Sequence, residues 1–235
     1  MPEHDCAHAN TVAGNLACAP THSGLYMRAG KRAFDAASAA LGLILLSPVL
    51  AAAALAVKLG SRGPVLFRQH REGRQGRIFS MVKFRSMCVN HSGDGPGITV
   101  SGDSRVTPVG RFLRRYKIDE FPQLWNVVRG EMSLVGPRPE LPRYVARYSP
   151  AQREVLSVRP GITDPASLYY RHEEEILAAS ANPERCYADK ILPDKLTRNL
   201  DYIRQISFAG DMRLIIQTLR CVFAKPRRSS GLQIG

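Results

Sequence analysis

The sequence predicts an α+β protein that is mostly helical, with a kinked N-terminal membrane helix, a small β-hairpin and amphipathic helices suited to a membrane interface. Residues 36–57 form a run of 22 residues without a charged side chain. Two short β-rich runs follow, and most of the remaining chain shows helical periodicity. The net charge of +13 indicates a polyanionic partner: a membrane surface, a phosphorylated substrate or nucleic acid.

Length and cysteine content limit the organisation of the chain. At 235 residues it can bury one sizeable core. Residues 1–24 lack core-forming side chains, and we expect a disordered tail there. The five cysteines are scattered without paired spacing, which indicates free thiols in a reducing compartment. A zinc site is the alternative for four residues of the tail, although their spacing fits no common site: Cys6, His8, Cys18 and His22.

The apolar run is long enough to enter a membrane, because a straight helix of that length reaches about 33 Å. Pro48 removes a helix hydrogen bond and predicts a kink, and Ser47 can satisfy the freed carbonyl. Basic residues flank both ends of the run, so charge favours neither orientation, and a bent helix that enters and leaves by the cytoplasmic face suits both flanks. A straight crossing and a buried helix of a soluble domain stay open as alternatives.

Short-range patterns predict the next elements. Residues 65–67 and 77–87 are β-rich and flank a Gly- and Arg-rich stretch, which indicates a hairpin. From about residue 107 the period is helical, with three arginines largely off the apolar stripe. Such a basic amphipathic helix suits a membrane surface, and an ordinary packed helix with a solvated face explains it equally well. The apolar stripe consists of Val109, Phe112, Leu113 and Tyr116.

The second half of the chain is predicted to be helical. Pro122 is favoured at a first helical position, and the helix it starts is predicted to end near Gly130. Two more helices are predicted over 196–207 and 211–224, with 189–195 as a connection and Asp211 as the cap of the last helix. These patterns divide the chain into a membrane-inserted helix at 25–60, a folded domain at 61–225 and a disordered basic tail at 226–235.

The adjacent carboxylates of Asp119 and Glu120 are the first candidates for chemistry. They precede the helix that starts near Pro122, where partial positive charge favours carboxylate and phosphate alike, so we expect Asp119 to stay ionised. In such a pair one carboxylate can attack phosphorus while the other holds a hard cation such as Mg²⁺. Ordinary capping of a helix is the alternative explanation for the pair.

Proline-framed arginines are the second group of candidates. Arg138 lies between two prolines and Arg159 precedes another, so both backbones are stiff and present a guanidinium group with little entropy to lose. Rigid bidentate donors suit phosphate recognition, although pairing with core carboxylates would also explain them. Lys83 and Arg85, on the second β-rich run, are weaker candidates of the same kind.

A set of motifs, in order along residues 31–224, resembles the bacterial sugar transferases, the monotopic polyprenyl-phosphate phosphoglycosyltransferases. Each motif is weak alone, but the combination is highly specific. The motifs are KRAFD at 31–35, SP at 47–48, FRQ at 67–69, KFRSM at 83–87, Arg114 followed by IDEFPQLWNV at 118–127, GEMSLVGPRP at 130–139 and RPGIT at 159–163.

The resemblance implies a two-step reaction. Asp119 matches the family's nucleophile, which attacks the sugar-bearing phosphorus of a UDP-sugar and expels UMP. A polyprenyl phosphate then takes the phosphosugar, giving a polyprenyl-diphospho-sugar. Glu120 matches the Mg²⁺ ligand and Arg138 lies in the phosphate-site motif, a role that we extend to Lys83, Arg114 and Arg159. Ser47 and Pro48 match the kink that makes the family's membrane helix re-entrant.

The resemblance also implies a place in the cell and partners. Members start capsule, exopolysaccharide or glycoprotein glycans at the bacterial inner membrane, with the catalytic domain facing the cytoplasm, so inner-membrane lipids and downstream glycosyltransferases are expected partners and nucleic acid is not. The chain resembles the short catalytic form. After Thr163 many members continue with Gly and Trp, whereas here Asp164 and Pro165 follow, which leaves the donor sugar unassigned.

Two other classes of function compete with this one. A non-catalytic basic protein on a membrane or nucleic acid would explain the charge, but it has no use for an acidic pair among fixed arginines, and no aromatic-interleaved basic strand is present. A metal-dependent phosphodiesterase or pyrophosphatase would be expected to carry more carboxylate and His ligands near the pair.

Overall fold

A computed structural model describes residue 26 and the ranges 30–88 and 98–223. The predicted disordered tails at 1–24 and 226–235, and the four Cys and His residues considered for zinc, lie outside these ranges. Ten α-helices and four strands are described: α1 Lys31–Leu45, α2 Ser47–Gly60, β1 Leu66–Glu72, β2 Ile78–Phe84, α3 Pro108–Arg115, α4 Gln123–Arg129, β3 Ser133–Val135, α5 Pro142–Val145, β4 Gly161–Thr163, α6 Pro165–Tyr169, α7 Glu173–Ala178, α8 Pro183–Cys186, α9 Leu192–Arg204 and α10 Phe208–Phe223.

The described residues therefore confirm a mostly helical α+β protein with a small antiparallel hairpin. Short 3₁₀ turns are present at Arg74–Gly76, Ile118–Glu120 and Gln152–Ser157, and a π-helical turn spans Tyr187–Ile191. The sheets are small, because β1 pairs only with β2, and β3 only with β4, among the described strands. Helix packing therefore builds most of the core.

Helices α1 and α2 form one bent pair. Within the described ranges no single helix is long and apolar enough to span a membrane, while α1 and α2 meet that test together and are bent by 63°. Pro48 has no N–H to donate to the carbonyl of Ile44, four residues back, and the Ser47 hydroxyl donates to that oxygen at 2.7 Å. The bend thus lies at Ser47 and Pro48. Large apolar side chains along the pair are exposed: Leu41, Ile44, Leu45, Val49, Leu55 and Leu59.

The hairpin of β1 and β2 joins the base of the bent pair to the rest of the protein. Its register pairs Leu66 with Phe84 and Phe67 with Lys83. Arg85, directly after β2, is buried and donates to the carbonyl oxygens of Val57 and Ser61 at the end of α2. Arg85 therefore has a structural role here, in contrast to its prediction as a phosphate ligand.

Strands β3 and β4 form a parallel pair whose close approach depends on glycine. An added Cβ at Gly161 would lie 2.1 Å from the nitrogen of Gly136, and one at Gly136 would lie 2.5 Å from the carbonyl oxygen of Arg159. Only residues without a side chain fit at these two positions. The approach fixes the segment that continues from β3 into Pro137 and Arg138.

Two local predictions for the C-terminal region were wrong. Residues 189–195 were expected to connect helices, but they are helical, because the π-helical turn Tyr187–Ile191 runs directly into α9. Asp211 was expected to cap the last helix, but α10 begins at Phe208 and Asp211 is almost fully buried. Its carboxylate instead pairs with Lys31 at 2.5 Å and accepts hydrogen bonds from the hydroxyls of Tyr26 and Tyr202.

Candidate active site

The acidic pair lies in a tight turn between two helices. Asp119 and Glu120 belong to the 3₁₀ turn Ile118–Glu120, which follows α3 and precedes α4. Lys117 enters this turn with a left-handed backbone, φ +56°, so the chain reverses sharply after α3. Asp119 and Glu120 are 7% and 8% exposed. Carboxylates so deeply buried require partners or a function, because desolvation of a charge is costly.

Glu120 has two cationic partners. Its Oε1 atom lies 2.9 Å from Nζ of Lys83 and 2.5 Å from Nη2 of Arg138. Burial alone would raise the pKa of Glu120, but the charges of Arg138 and Lys83 overcome it and hold this pKa well below its usual range. Glu120 is therefore ionised, and it accounts for one negative charge between two positive ones.

Asp119 has no such partner. Its Oδ1 atom is buried and accepts no hydrogen bond from the described residues. Burial, followed by repulsion from Glu120, raises the pKa of Asp119, whereas the charges of Lys83, Lys117 and Arg114 act to lower it. Burial thus raises this pKa although a helix N-terminus would lower it, and the expectation that Asp119 stays ionised remains a prediction. In this pair the charge of Glu120 is balanced by Lys83 and Arg138, whereas the Oδ1 atom of Asp119 has no hydrogen-bond partner among the described residues and is available for chemistry.

Packing of β2 against α4 places Lys83 beside the acidic pair. The Asn126 side chain, in α4, accepts from the N–H of Val82 at 3.1 Å and donates to the carbonyl of Ser80 at 2.8 Å, so it fastens β2 to α4. Lys83 follows Val82 on the same strand. Burial lowers the pKa of Lys83 to about 8, although Glu120 acts to raise it. Lys83 therefore loses its positive charge in mildly basic solution.

Arg138 reaches Glu120 from the segment after β3. Glu120 raises the pKa of Arg138 above its usual value, with further contributions from Asp164 and Glu140, so Arg138 is always charged. Asp164 is fully buried and caps α6 by accepting from the N–H of Ser167 at 3.0 Å. Sequence reasoning missed this electrostatic contribution of Asp164 to Arg138.

Arg114 and Arg159, the other two predicted phosphate-binding residues, do not contact the acidic pair. Arg114 forms an ion pair with Glu174 and acts on Asp119 only through its charge. Arg159 donates from Nε to the carbonyl of Gly130 at 2.9 Å. The charges that act on Arg159 are those of Arg74, Arg32 and Asp35. The structure therefore brings Lys83 and Arg138 to the acidic pair, keeps Arg114 at its edge and places Arg159 in a separate cluster.

The acidic pair offers oxygen donors of the kind that Mg²⁺ prefers. Among the described residues no three His, Cys, Asp or Glu side chains gather in a group that could hold a metal ion. Mg²⁺ in phosphate-handling sites commonly takes only one or two carboxylates and completes its shell with substrate phosphate and water. The unpartnered Oδ1 of Asp119 beside the carboxylate of Glu120 fits that kind of open site.

Comparison with known proteins supplies the class. The sequence model of the bacterial sugar transferases matches residues 26–225. A UDP-N-acetylgalactosamine-undecaprenyl-phosphate N-acetylgalactosaminephosphotransferase of Aeromonas hydrophila is 35% identical over 93% of this chain and 48% of its own length. An undecaprenyl-phosphate glucose phosphotransferase of Komagataeibacter xylinus is 40% identical over 81% of this chain and 35% of its own. A UDP-glucose:undecaprenyl-phosphate glucose-1-phosphate transferase of Caulobacter vibrioides is 38% identical over 80% and 68%.

These matches define a class of proteins that place sugar phosphates on a lipid carrier. The chain belongs to the bacterial sugar transferase family. It spans about half of the Aeromonas relative and about a third of the Komagataeibacter relative.

Proposed function

We propose that this protein transfers a sugar-1-phosphate from a UDP-sugar to a polyprenyl phosphate, namely undecaprenyl phosphate. The transfer passes through a covalent intermediate on Asp119. The names of the relatives support the substrates, because they specify UDP-sugars and undecaprenyl phosphate. One observation carries the mechanism: Glu120 is neutralised by Lys83 and Arg138, while the buried Oδ1 of Asp119 has no partner among the described residues.

In the first step the Asp119 carboxylate attacks the sugar-bearing phosphorus. A bond forms between a carboxylate oxygen and phosphorus, the bond from phosphorus to the bridging oxygen breaks, and that oxygen leaves with its electron pair as UMP. In the second step an oxygen of the lipid phosphate attacks the same phosphorus, the bond to Asp119 breaks, and the carboxylate is restored. Arg138 and Lys83 offset negative charge beside the reacting phosphoryl group.

Glu120 is the residue that would hold Mg²⁺. When bound, this ion supplies positive charge against the donor diphosphate, so that an attacking carboxylate meets less repulsion. The protein itself contributes the fixed placement of both carboxylates in one short turn.

The bent pair of α1 and α2 supports a membrane location for this reaction. We infer a re-entrant helix whose two ends lie on the cytoplasmic face of the bacterial inner membrane, because basic residues flank both ends and apolar side chains cover the bend. Polyprenyl phosphate is held in the same bilayer. The product would start an exopolysaccharide, capsule or glycoprotein glycan and pass to downstream glycosyltransferases.

The test is UMP release by the full chain in detergent, with polyprenyl phosphate and a panel of UDP-sugars. We expect one donor to be used preferentially and Asp119→Asn to lower turnover on the order of 10³-fold or more, because an amide is a very poor nucleophile. Asp201→Asn is the control, since this exposed aspartate pairs only with Arg204 among the described residues. Near-normal turnover by a folded Asp119→Asn variant would refute the covalent scheme.

A further inference from the structure

Arg138 belongs to a backbone segment that is held on both sides. On one side the N–H of Gly161, in β4, donates to the carbonyl of Pro137 at 2.9 Å. On the other side Nη1 of Arg71, in β1, donates to the carbonyl of Pro139 at 3.0 Å. The residues directly before and after Arg138 are therefore both fixed by hydrogen bonds, and their proline rings restrict the backbone further. The backbone of Arg138 is thus held between β1 and β4.

The hairpin makes a second contact with the same segment. The N–H of Glu72 donates to the carbonyl of Glu140 at 3.0 Å, so that these two residues form an isolated antiparallel bridge. In addition, Nη1 of Arg71 lies 3.6 Å from Oε2 of Glu140. One backbone hydrogen bond and one ion pair therefore join β1 to the residue two positions after Arg138.

The guanidinium group of Arg71 is itself fixed by its neighbours. Oε1 of Gln69, on the same face of β1, accepts from Nε and Nη2 of Arg71 at 3.0 and 2.7 Å. Oε1 of Glu140 accepts from the hydroxyl of Tyr187 at 2.5 Å, which orients this carboxylate with Oε2 towards Arg71. Each of the three guanidinium nitrogens of Arg71 therefore has a hydrogen-bond acceptor, and the planar group is held in one orientation.

The burial of Arg71 is a weak source of stability. Only 15% of its side chain is exposed. Burial lowers the pKa of Arg71, the charge of Glu140 opposes this effect, and the charge of Arg138 lowers the pKa further because two guanidinium groups repel each other. Packed apolar side chains in place of a buried ion pair are often as stabilising or more so. A buried cation at this place therefore favours a role in fixing geometry.

We propose that Arg71 is a positioning residue for the transfer reaction, because its hold on Pro139 and Glu140 keeps the guanidinium group of Arg138 at 2.5 Å from Glu120. The inference rests on the proposed function, in which Arg138 offsets charge beside the reacting phosphoryl group. A displacement of about 1 Å in such a group can lower a rate on the order of 100-fold. Arg71 acts through Arg138 and not through a contact of its own with the acidic pair.

The experiment is a double-mutant cycle on kcat/KM for UMP release by the full chain in detergent. Its variants are Arg71→Gln, Arg138→Gln and the combination of the two. We expect Arg71→Gln to lower kcat/KM roughly tenfold or more in the wild-type background, but less than about twofold in the Arg138→Gln background. A merely structural contribution of Arg71 would lower kcat/KM by the same factor in both backgrounds.

Two further variants complete the cycle. Arg71→Lys keeps a positive charge beside Glu140 but lacks the planar fork, so it should lower kcat/KM roughly threefold or more and again only when Arg138 is present. It carries the test where Arg71→Gln does not fold. Arg198→Gln is the control, because it removes an arginine that pairs with Asp194 at 2.7 Å, and it should change kcat/KM less than about twofold.

Two kinetic results would overturn the proposal: a folded Arg71→Gln variant as active as the control, or equal losses in the two backgrounds. Amide hydrogen exchange over residues 136–145 is a readout that needs no turnover. It should be faster in Arg71→Gln than in Arg198→Gln, and equal rates would contradict the anchoring of this segment. A wild-type protein that releases no UMP but shows the difference in exchange would reject the proposed transfer reaction while supporting the anchoring by Arg71.

Discussion

The ionisation of Lys83 should limit activity in basic solution. Burial lowers the pKa of Lys83 to about 8, and its charge neutralises Glu120 at 2.9 Å. At pH 7 about nine tenths of the molecules carry the Lys83 charge, and at pH 9 about one tenth do. If the charged form is required, kcat/KM for UMP release should therefore fall about tenfold between these pH values.

Two conservative variants make this prediction specific. Lys83→Arg keeps a positive charge throughout the range, so its kcat/KM should change less than about twofold between pH 7 and 9 whatever its absolute value. Lys195→Arg is the matched control, because Lys195 is a buried lysine that pairs with Glu173 and not with Glu120, and this variant should keep the tenfold decline. A wild-type profile that is flat, or the same decline in Lys83→Arg, would refute this reasoning.

The stability contributed by Lys83 should increase as pH rises, whereas activity should fall. The pKa of Lys83 in the folded protein, about 8, lies below the model-peptide value of 10.5. Between these values the unfolded chain binds the additional proton, so deprotonation of Lys83 contributes stability that increases as pH rises through this window, by about 3 kcal/mol at most. Activity and this contribution to stability therefore diverge above pH 8.

Three further variants test other parts of the account. Glu120→Gln leaves the half-buried cations Lys83 and Arg138 without their carboxylate and should destabilise the protein by about 1–3 kcal/mol in chemical unfolding. It should also raise the Mg²⁺ needed for half-maximal turnover, and an unchanged Mg²⁺ titration would remove Glu120 from the metal site. Gly161→Ala would place a Cβ 2.1 Å from the nitrogen of Gly136 and should cost at least about 2 kcal/mol; wild-type thermal stability would contradict the described strand approach. Pro48→Ala should relax the 63° bend and move the N-terminus across the membrane; cysteine-accessibility labelling that finds it on the same side in both proteins would count against this.

Local features of the fold could be predicted because each depends on residues near in sequence. The hairpin follows from alternating β-rich runs, and α4 lies between Pro122 and Gly130 because proline favours helix starts and Gly130 takes the left-handed backbone, φ +82°, that ends the helix. The hydrogen bond from Ser47 to the carbonyl that Pro48 leaves free is equally local.

Contacts between distant segments could not be predicted in the same way. Asp211 resembles a helix cap from its neighbours alone, but Lys31, 180 residues earlier, makes it part of a buried ion pair. Lys83 looked like a weaker candidate than Arg159 because an exposed strand face would also use a lysine at this position. Asn126 of α4 bonds to β2 and so places Lys83 beside Glu120. Arg159 instead donates to the carbonyl of Gly130, away from the acidic pair.

The opposite pKa shifts of Asp119 and Glu120 also could not be predicted from the sequence. Asp119 and Glu120 are neighbours of the same chemical kind, yet the pKa of Asp119 is raised and that of Glu120 is lowered. The difference arises because Lys83 and Arg138 both contact Glu120 and not Asp119. Only the three-dimensional arrangement divides the roles of the two carboxylates.

Mass spectrometry of protein incubated with a UDP-sugar in the absence of polyprenyl phosphate tests the central proposal most directly. UDP-glucose and UDP-N-acetylgalactosamine are the first donors to try, since the names of the relatives include them. We predict a phosphosugar adduct on the peptide that contains Asp119, lost on addition of polyprenyl phosphate and not formed by Asp119→Asn. UMP release without any adduct at that side chain would contradict the account.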